Sequence, residues 1–338
     1  MSAGLRGTVR APEWWDYKLV PLLTAFYATL AMLERPVASA WPAALALLLA
    51  IVPGAAYVSL VNDVADLDED RAAGKANRME GRSGPFRAAA LALPLAAGIL
   101  FLFLWRDDPL LFAAYLAAWI AFTLYSVPPF RLKARGLWGV LADASGAHLF
   151  PTLVAMLLAF RAAGSPVDPA WIAAGAAWAL GYGLRGILWH QLSDRDNDRA
   201  AGVRTFAQRH PPAVAARLGL FLAFPLELAG LAALLWRLGS PLPALLLLFY
   251  LLLVALRVRL WKMRAVVVEP RPDYLILLHE YYDVFLPLAV LAACALRHPI
   301  DLVALAAHLL LFHRRPLDSA LDIWKLAGRL AFEWRRRR

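Results

Sequence analysis

The chain has 338 residues, 61% of them hydrophobic, and a formal net charge of +10. Soluble domains hold roughly 45–50% apolar residues, so a soluble globular protein is excluded, and continuous Leu/Ala-rich runs without alternation exclude a membrane β-barrel. The basic residues sit in short loops and at the C-terminus with no recognition motif around them, which excludes nucleic acid as a partner, and the single Cys294 excludes an intrachain disulfide or a cysteine metal cage.

The N-terminal stretch Glu13-Trp14-Trp15-Asp16 is polar and aromatic and has no small-residue cleavage site. The first apolar run is therefore expected to remain as a membrane helix. Apolar runs long enough to cross a bilayer as helix fall near 19–33, 41–61, 86–105, 109–127, 137–160, 169–190, 213–236, 241–261 and 274–296. The expected fold is all-α: a polytopic integral membrane protein of nine spans, followed by a short additional helix or an amphipathic one. The loops after the second, fourth, sixth and eighth spans carry most of the Lys and Arg, while the intervening loops carry few. The positive-inside rule places these even loops, and the N-terminus, in the cytoplasm. An odd number of spans would leave the tail outside, yet it ends Trp334-Arg335-Arg336-Arg337-Arg338. Either the apolar stretch 300–312 returns it, or the tail lies along the interface.

Two even loops carry the same string. Asp70-Arg71-Ala72-Ala73-Gly74 is repeated as Asp198-Arg199-Ala200-Ala201-Gly202, and each copy follows an aspartate four residues earlier, Asp66 and Asp194. Residues at i, i+3, i+4 and i+7 share a helix face. Asp63, Asp66 and Asp70 have that spacing in the first copy, with Asn62 one turn before Asp66. Gln191, Asp194 and Asp198 have it in the second, Gln191 standing where Asp63 stands. Asp68, Glu69 and Asp196 fall off the shared face and are expected to be solvated. Both strings belong to even loops, so they can meet. Facing carboxylates of this kind suit Mg²⁺, which takes one or two carboxylates and completes its shell with phosphate and water oxygens. A departing diphosphate is stabilised by such fixed cations. Arg71, Lys75, Arg78, Arg199 and Arg204, just downstream, are positioned to meet phosphate oxygens directly.

Asn62-Asp63-x-x-Asp66-x-x-x-Asp70 resembles the first aspartate motif of the UbiA family of membrane prenyltransferases, and Asp194-x-x-x-Asp198 resembles its second. The stretch Tyr125-Ser126-Val127-Pro128-Pro129-Phe130-Arg131-Leu132-Lys133-Ala134-Arg135-Gly136 is similar to the family's loop after the fourth span. The resemblance implies nine transmembrane helices around a central cavity, with residues 1–298 as the prenyltransferase domain and 299–338 as an apolar and basic tail. It implies Mg²⁺-dependent transfer of a prenyl group from a prenyl diphosphate to an acceptor that the sequence does not name. It also implies Asn62, Asp66, Asp70, Asp194 and Asp198 as metal ligands, Lys133 on the diphosphate, and Tyr125 and Arg131 in the substrate site. The site would face the cytoplasm from the cell membrane. The family's opening Arg-Pro pair is replaced by Tyr17-Lys18-Leu19-Val20-Pro21, which puts Lys18 in the phosphate-contacting place. The residues before the second motif, Arg185 to Gln191, differ from those of quinone-pathway members.

Asp143 and His148 fall inside the fifth run. Ionisable groups at that depth face a cavity or a partner, so both are candidates for holding the acceptor. His279-Glu280-Tyr281-Tyr282-Asp283 lacks the second histidine of a zinc-protease helix, and interfacial anchoring is its expected role. Two other activities share features with this pattern: phosphoribosyl transfer from a diphosphate to a polyprenyl phosphate, and transport through intramembrane acidic sites.

Overall fold

A computed structural model describes residues 10, 14–72, 74, 76–200 and 202–336. Proline marks where most helices begin, because it lacks the N–H that a first helical turn leaves unpaired and its φ is already helical. Pro42, Pro85, Pro109, Pro169, Pro212 and Pro241 all stand in first turns.

The helices follow in chain order. A π-helical turn Trp15–Leu19 runs into α1 (Val20–Met32). Next come α2 (Trp41–Ala65), the short α3 (Leu67–Ala72), α4 (Gly84–Leu104) and α5 (Pro109–Ser126). α6 (Leu137–Ala163) contains a π-helical stretch at Ser145–Leu149. α7 (Pro169–Ser193) is followed by the short α8 (Arg195–Ala200) and α9 (Phe206–Arg209). α10 (Pro212–Leu238) and α11 (Pro241–Trp261) lead to a pair of parallel three-residue strands, β1 (Arg264–Val266) and β2 (Tyr274–Ile276). Another π-helical turn, Tyr281–Phe285, opens α12 (Leu286–Arg297), and α13 (Leu302–Leu311) and α14 (Arg314–Arg336) close the described part of the chain.

Every expected span is helical for most of its length, and among the described residues six helices are long and apolar enough to cross a bilayer by themselves. α1 and α12 are shorter, with 13 and 12 residues, and α7 is long but carries polar residues. The ninth expected segment begins later than its hydropathy implies. Tyr274–Ile276 is strand, because it pairs its backbone with Arg264–Val266 instead of continuing the helix. Outward-facing Leu93, Ile99, Phe103, Phe221, Trp236 and Leu248 remain exposed. Such a belt is stable only against lipid, and the protein is an integral membrane protein.

α7 and α10 approach unusually closely. A Cβ on Gly181 would lie 2.6 Å from the Ala223 carbonyl oxygen, and one on Gly230 would lie 2.7 Å from that of Ala174. Small residues let membrane helices meet backbone to backbone. The contact encloses an ion pair with no exposed surface: Arg185 Nε and Nη2 donate to Glu227 at 2.7 and 2.8 Å. Tyr282 adds its hydroxyl to Glu227 at 2.8 Å, and Arg185 Nη1 donates to the Val267 carbonyl at 3.2 Å. The network ties α7, α10, the ninth helical segment and the strand loop together.

All four basic loops lie at one end of the bundle. The loop after α5 reaches Asp66 through Lys133, Arg209 Nη2 donates to the Ala134 carbonyl at 2.7 Å, and Arg185 reaches Val267. The tail returns to this same aspartate end. Asp301 accepts from the Ala38 N–H (2.7 Å) at the opposite end, while Trp15 Nε1 donates to the Leu311 carbonyl (3.2 Å) at the aspartate end. α13 is the expected short apolar return, and α14 after it is amphipathic.

Asp168 caps α7 by accepting from the N–H groups of Ala170 (2.9 Å) and Trp171 (3.1 Å). The Trp171 N–H chiefly holds its carboxyl below the usual aspartate range, with help from Ala170 and Arg237. Asp168→Ala is expected to cost about 1 kcal/mol, whereas Asp168→Asn keeps most of the cap. Thermal unfolding in detergent reads the difference. A carboxyl with a lowered folded pKa stabilises above its unfolded pKa, so the wild-type advantage over the Ala variant should shrink as pH falls through the acid range.

Candidate active site

The two strings fold alike. Each long helix stops at the first aspartate: Asp66 caps α2 and Asp194 caps α7, with backbone N–H groups bonded to Asn62 and His190 carbonyls at 3.0 and 2.9 Å. Each second aspartate then donates its N–H to the first one's carbonyl at 2.8 Å, in both copies. Gly74 and Gly202 end the short helices with φ of +66° and +69°, a left-handed turn that favours glycine. Seven residues beyond each second aspartate a polar side chain comes back to hold it. Asn77 Nδ2 donates to Asp70 Oδ2 at 2.8 Å, and Thr205 Oγ1 donates to Asp198 Oδ2 at 3.1 Å. Asn77 and Thr205 were not among the expected residues, although the shared offset of seven is visible in the sequence.

The first string meets the loop between α5 and α6. Arg131 Nη2 donates to Asp66 Oδ1 at 2.8 Å, and Lys133 Nζ bonds both Asp66 oxygens and, at 3.0 Å, Asn62 Oδ1. Ser126 Oγ also reaches Asn62 Oδ1, at 3.4 Å. Lys133 is buried. Burial pulls its ammonium below the usual lysine range, while the Asp66 carboxylate works in the other direction. Glu69 corrects the expectation of a solvated side chain: it forms a two-pronged pair with Arg131. That hydrogen bonding holds Glu69 below the usual range for its carboxyl. Asp68 and Asp196, with side chains 95% and 96% exposed, are solvated as expected.

Tyr125 lies at the end of α5, partly buried, next to the Ser126 that reaches Asn62. Asp143 lies on α6 just before the π-helical stretch that carries His148. Lys18 and His148 sit on the π-helical turns of the first and fifth helical segments. Such turns re-aim side chains and concentrate at functional sites. The His148 ring stands edge-on to Tyr182 at 4.8 Å, with His279 on the same phenol at 5.4 Å. Lys18 also borders an apolar cavity of about 700 Å³, measured to its open mouth, whose walls include Gly54, Tyr57, Trp119, Phe122 and Gly146. Gly98 leaves the room for Trp119, since a Cβ there would clash with the indole.

Other expected residues stand apart from this group. Arg71 and Arg199 stand 3.8 Å from Asp68 and Asp196, and Arg71 also donates to Glu80 at 3.4 Å. Arg204 is exposed. Asp63 is buried and faces Arg10 and, at 3.8 Å, Arg78. Gln191 accepts from the Ala207 N–H at 3.3 Å and pins the loop after α8. Lys75 lies outside the described residues. Asp194 has His190 Nε2 at 3.6 Å.

The donor set consists of hard oxygens. Among the described residues no three His, Cys, Asp or Glu side chains are close enough to cage a metal. Carboxylate and amide oxygens are the donor type of Mg²⁺, which takes one or two carboxylates and fills the rest of its shell with phosphate and water oxygens.

The family model of the UbiA prenyltransferase family matches residues 21–268. The chain belongs to the UbiA prenyltransferase family. Membership in this family agrees with the expected membrane prenyltransferase. A lycopene elongase/hydratase of Halobacterium salinarum is 29% identical over 200 residues, which is 58% of this chain and 67% of that protein. A lycopene elongase/hydratase of Haloarcula japonica is 29% identical over 201 residues, 58% of this chain and 63% of that protein. A 2-acylphloroglucinol 4-prenyltransferase of Humulus lupulus is 31% identical over 193 residues, 53% of this chain and 44% of that protein. The aligned stretches thus span two thirds of these relatives' length or less. A UbiA homolog from Archaeoglobus fulgidus, solved bound to DMAPP and Mg²⁺, shares the fold with TM-score 0.53 at 18% identity, over 90% of this chain and 99% of that one. Its complex with GPP and Mg²⁺ gives TM-score 0.52 at 18% identity, over 89% and 99%.

Glu69→Gln tests the Arg131 clasp. At neutral pH the variant should lose at most about 1 kcal/mol, the range of a partly exposed pair. With its folded pKa lowered, Glu69 stabilises above its unfolded value of about 4.3 and less as pH falls through the folded one. Thermal melts of the variant and the wild type should therefore converge at acid pH.

Proposed function

We propose that the chain transfers a prenyl group from a prenyl diphosphate to an acceptor within the membrane, using Mg²⁺. The observation that carries this reading is the Asp66 carboxylate held by Lys133 and Arg131 of the loop between α5 and α6, a loop that also meets the second string's loop where Arg209 donates to the Ala134 carbonyl. We take residues 1–298 as the catalytic domain and 299–338 as an accessory tail. The basic loops favour an orientation with the aspartate end toward the cytoplasm.

Asn62, Asp66, Asp70, Asp194 and Asp198 would hold the metal with the donor's diphosphate. Bound Mg²⁺ neutralises the phosphate charge and makes the diphosphate a better leaving group. Lys133 and Arg131 are held at Asp66, where both ammonium and guanidinium lie beside any phosphate that site receives. Arg131 can take two phosphate oxygens at once, and Lys133 supplies a compact point charge. Lys18 offers a third cation from the chamber side. The apolar cavity takes the isoprenoid chain and keeps water from the allylic carbon. The allylic C–O bond breaks with its electron pair leaving on the diphosphate, the freed carbon bonds the acceptor, and the acceptor sheds a proton. Asp143 and His148 would orient the acceptor and take that proton.

The DMAPP and GPP complexes of the fold relatives and the prenyltransferase among the sequence relatives support a prenyl donor. Membranes bearing the wild-type chain, given labelled DMAPP, should incorporate label into extracted lipid, and EDTA should abolish this. Asp66→Asn and Asp194→Asn should each lose about 10²–10³ in rate, the usual cost of a missing charge-stabilising group. Asp68→Asn should be unchanged. Full activity in either of the first two variants, or incorporation from labelled phosphoribosyl diphosphate instead of DMAPP, would overturn the proposal.

A further inference from the structure

We propose that α14 is a membrane-surface helix, with its apolar stripe in the lipid headgroup region at the aspartate end and its basic residues on anionic headgroups. The helix lies outside the family-matched stretch, which ends at residue 268. Its 23 residues would reach about 35 Å along the surface at 1.5 Å per residue.

Three sides of the helix have three different surroundings. One side is fastened to the protein. Arg315 Nη2 stands 3.5 Å from Asp283 Oδ2, and its guanidinium lies over the Tyr17 ring at 5.1 Å. Ser319 Oγ donates to Glu280, Arg257 Nη2 faces Asp322 Oδ2 at 3.6 Å, and Leu326 is buried. Residues 315, 319, 322 and 326 follow one helical face, so these contacts fix the helix's rotation. The second side, thereby turned outward, carries Leu317, Ala320, Leu321, Trp324 and Ala327, all exposed, with Trp324 at 74%. The third side carries Asp318, Lys325 and Arg329, also exposed. An apolar stripe beside a charged edge is the signature of a helix lying in the interface plane.

Two observations select lipid as the occupant. The helix follows directly on α13, whose Leu302, Val303 and Leu310 are exposed apolar side chains. The helix also carries Arg314, Arg315, Lys325, Arg329, Arg335 and Arg336 against Asp318, Asp322 and Glu333. This surplus repels a second copy of the same helix and attracts an anionic leaflet. Trp324 and Trp334 are residues that favour the headgroup level.

The test uses the full chain in lipid nanodiscs, with a Cys294→Ser background. An environment-sensitive dye is placed at Ala320→Cys on the stripe or at Lys325→Cys on the charged edge, and Ala327→Cys provides a second stripe position. Lipids brominated in their acyl chains should quench the stripe dyes about threefold more than the edge dye, as a helix with one face in the acyl boundary requires. Adding phosphatidylglycerol to phosphatidylcholine should blue-shift the stripe dyes. The variant Arg329→Gln/Arg335→Gln/Arg336→Gln should remove that lipid dependence. Equal quenching at all positions would overturn the proposal, and so would disulfide trapping of two copies through Ala320→Cys.

Discussion

The Asp66 carboxylate lies between Lys133 and Arg131, and the aspartate end of the bundle is organised around that contact. Carboxylates at the end of a membrane helix must be neutralised or hydrated. Here the loop between α5 and α6 supplies the cations, and Asn62 and Glu69 accept further hydrogen bonds from them. The same loop touches the second string's loop through Arg209 and the Ala134 carbonyl. One short connection therefore fixes both halves of the site relative to each other. The tight glycine contact of α7 and α10, with the Arg185–Glu227 pair inside it, holds the second half from behind.

The duplication reaches further than the five identical residues. Helix stop, short helix, left-handed glycine, i, i+3 ion pair and returning polar side chain recur in both copies. The differences between the copies are equally informative. Asp63 meets two arginines, whereas Gln191, its counterpart, is neutral and spends its oxygen on a loop N–H. The first string is held by cations at Asp63 and Asp66, whereas Asp194 in the second has His190 at 3.6 Å. Such asymmetry suits one half that grips a phosphate and another that admits it.

Much of this was legible in the chain. Hydropathy placed the helical segments because backbone groups in lipid must be paired within the helix, and the charge pattern placed the even loops together. The aspartate spacing and the stretch 125–136 pointed to the candidate site, Lys18 came from the place of the family's opening Arg-Pro pair, and Asp143 and His148 from being ionisable groups in an apolar run. Glu69 was misread because helical phase alone leaves it off the face, and its partner Arg131 is sixty-two residues away. Arg71 and Arg199 looked like phosphate contacts, yet they stand in local i, i+3 pairs with Asp68 and Asp196. The strand at Tyr274–Ile276 was hidden because an apolar run of that length reads equally as helix.

A double-mutant cycle on donor binding tests the central claim most directly. Mg²⁺-dependent affinity for DMAPP would be measured for the wild type, Asp66→Asn, Asp194→Asn and the double variant. If both strings act on one diphosphate, the double variant should bind little worse than either single one, because each has already broken the shared site. Strictly additive losses would mean two independent sites and would contradict the account.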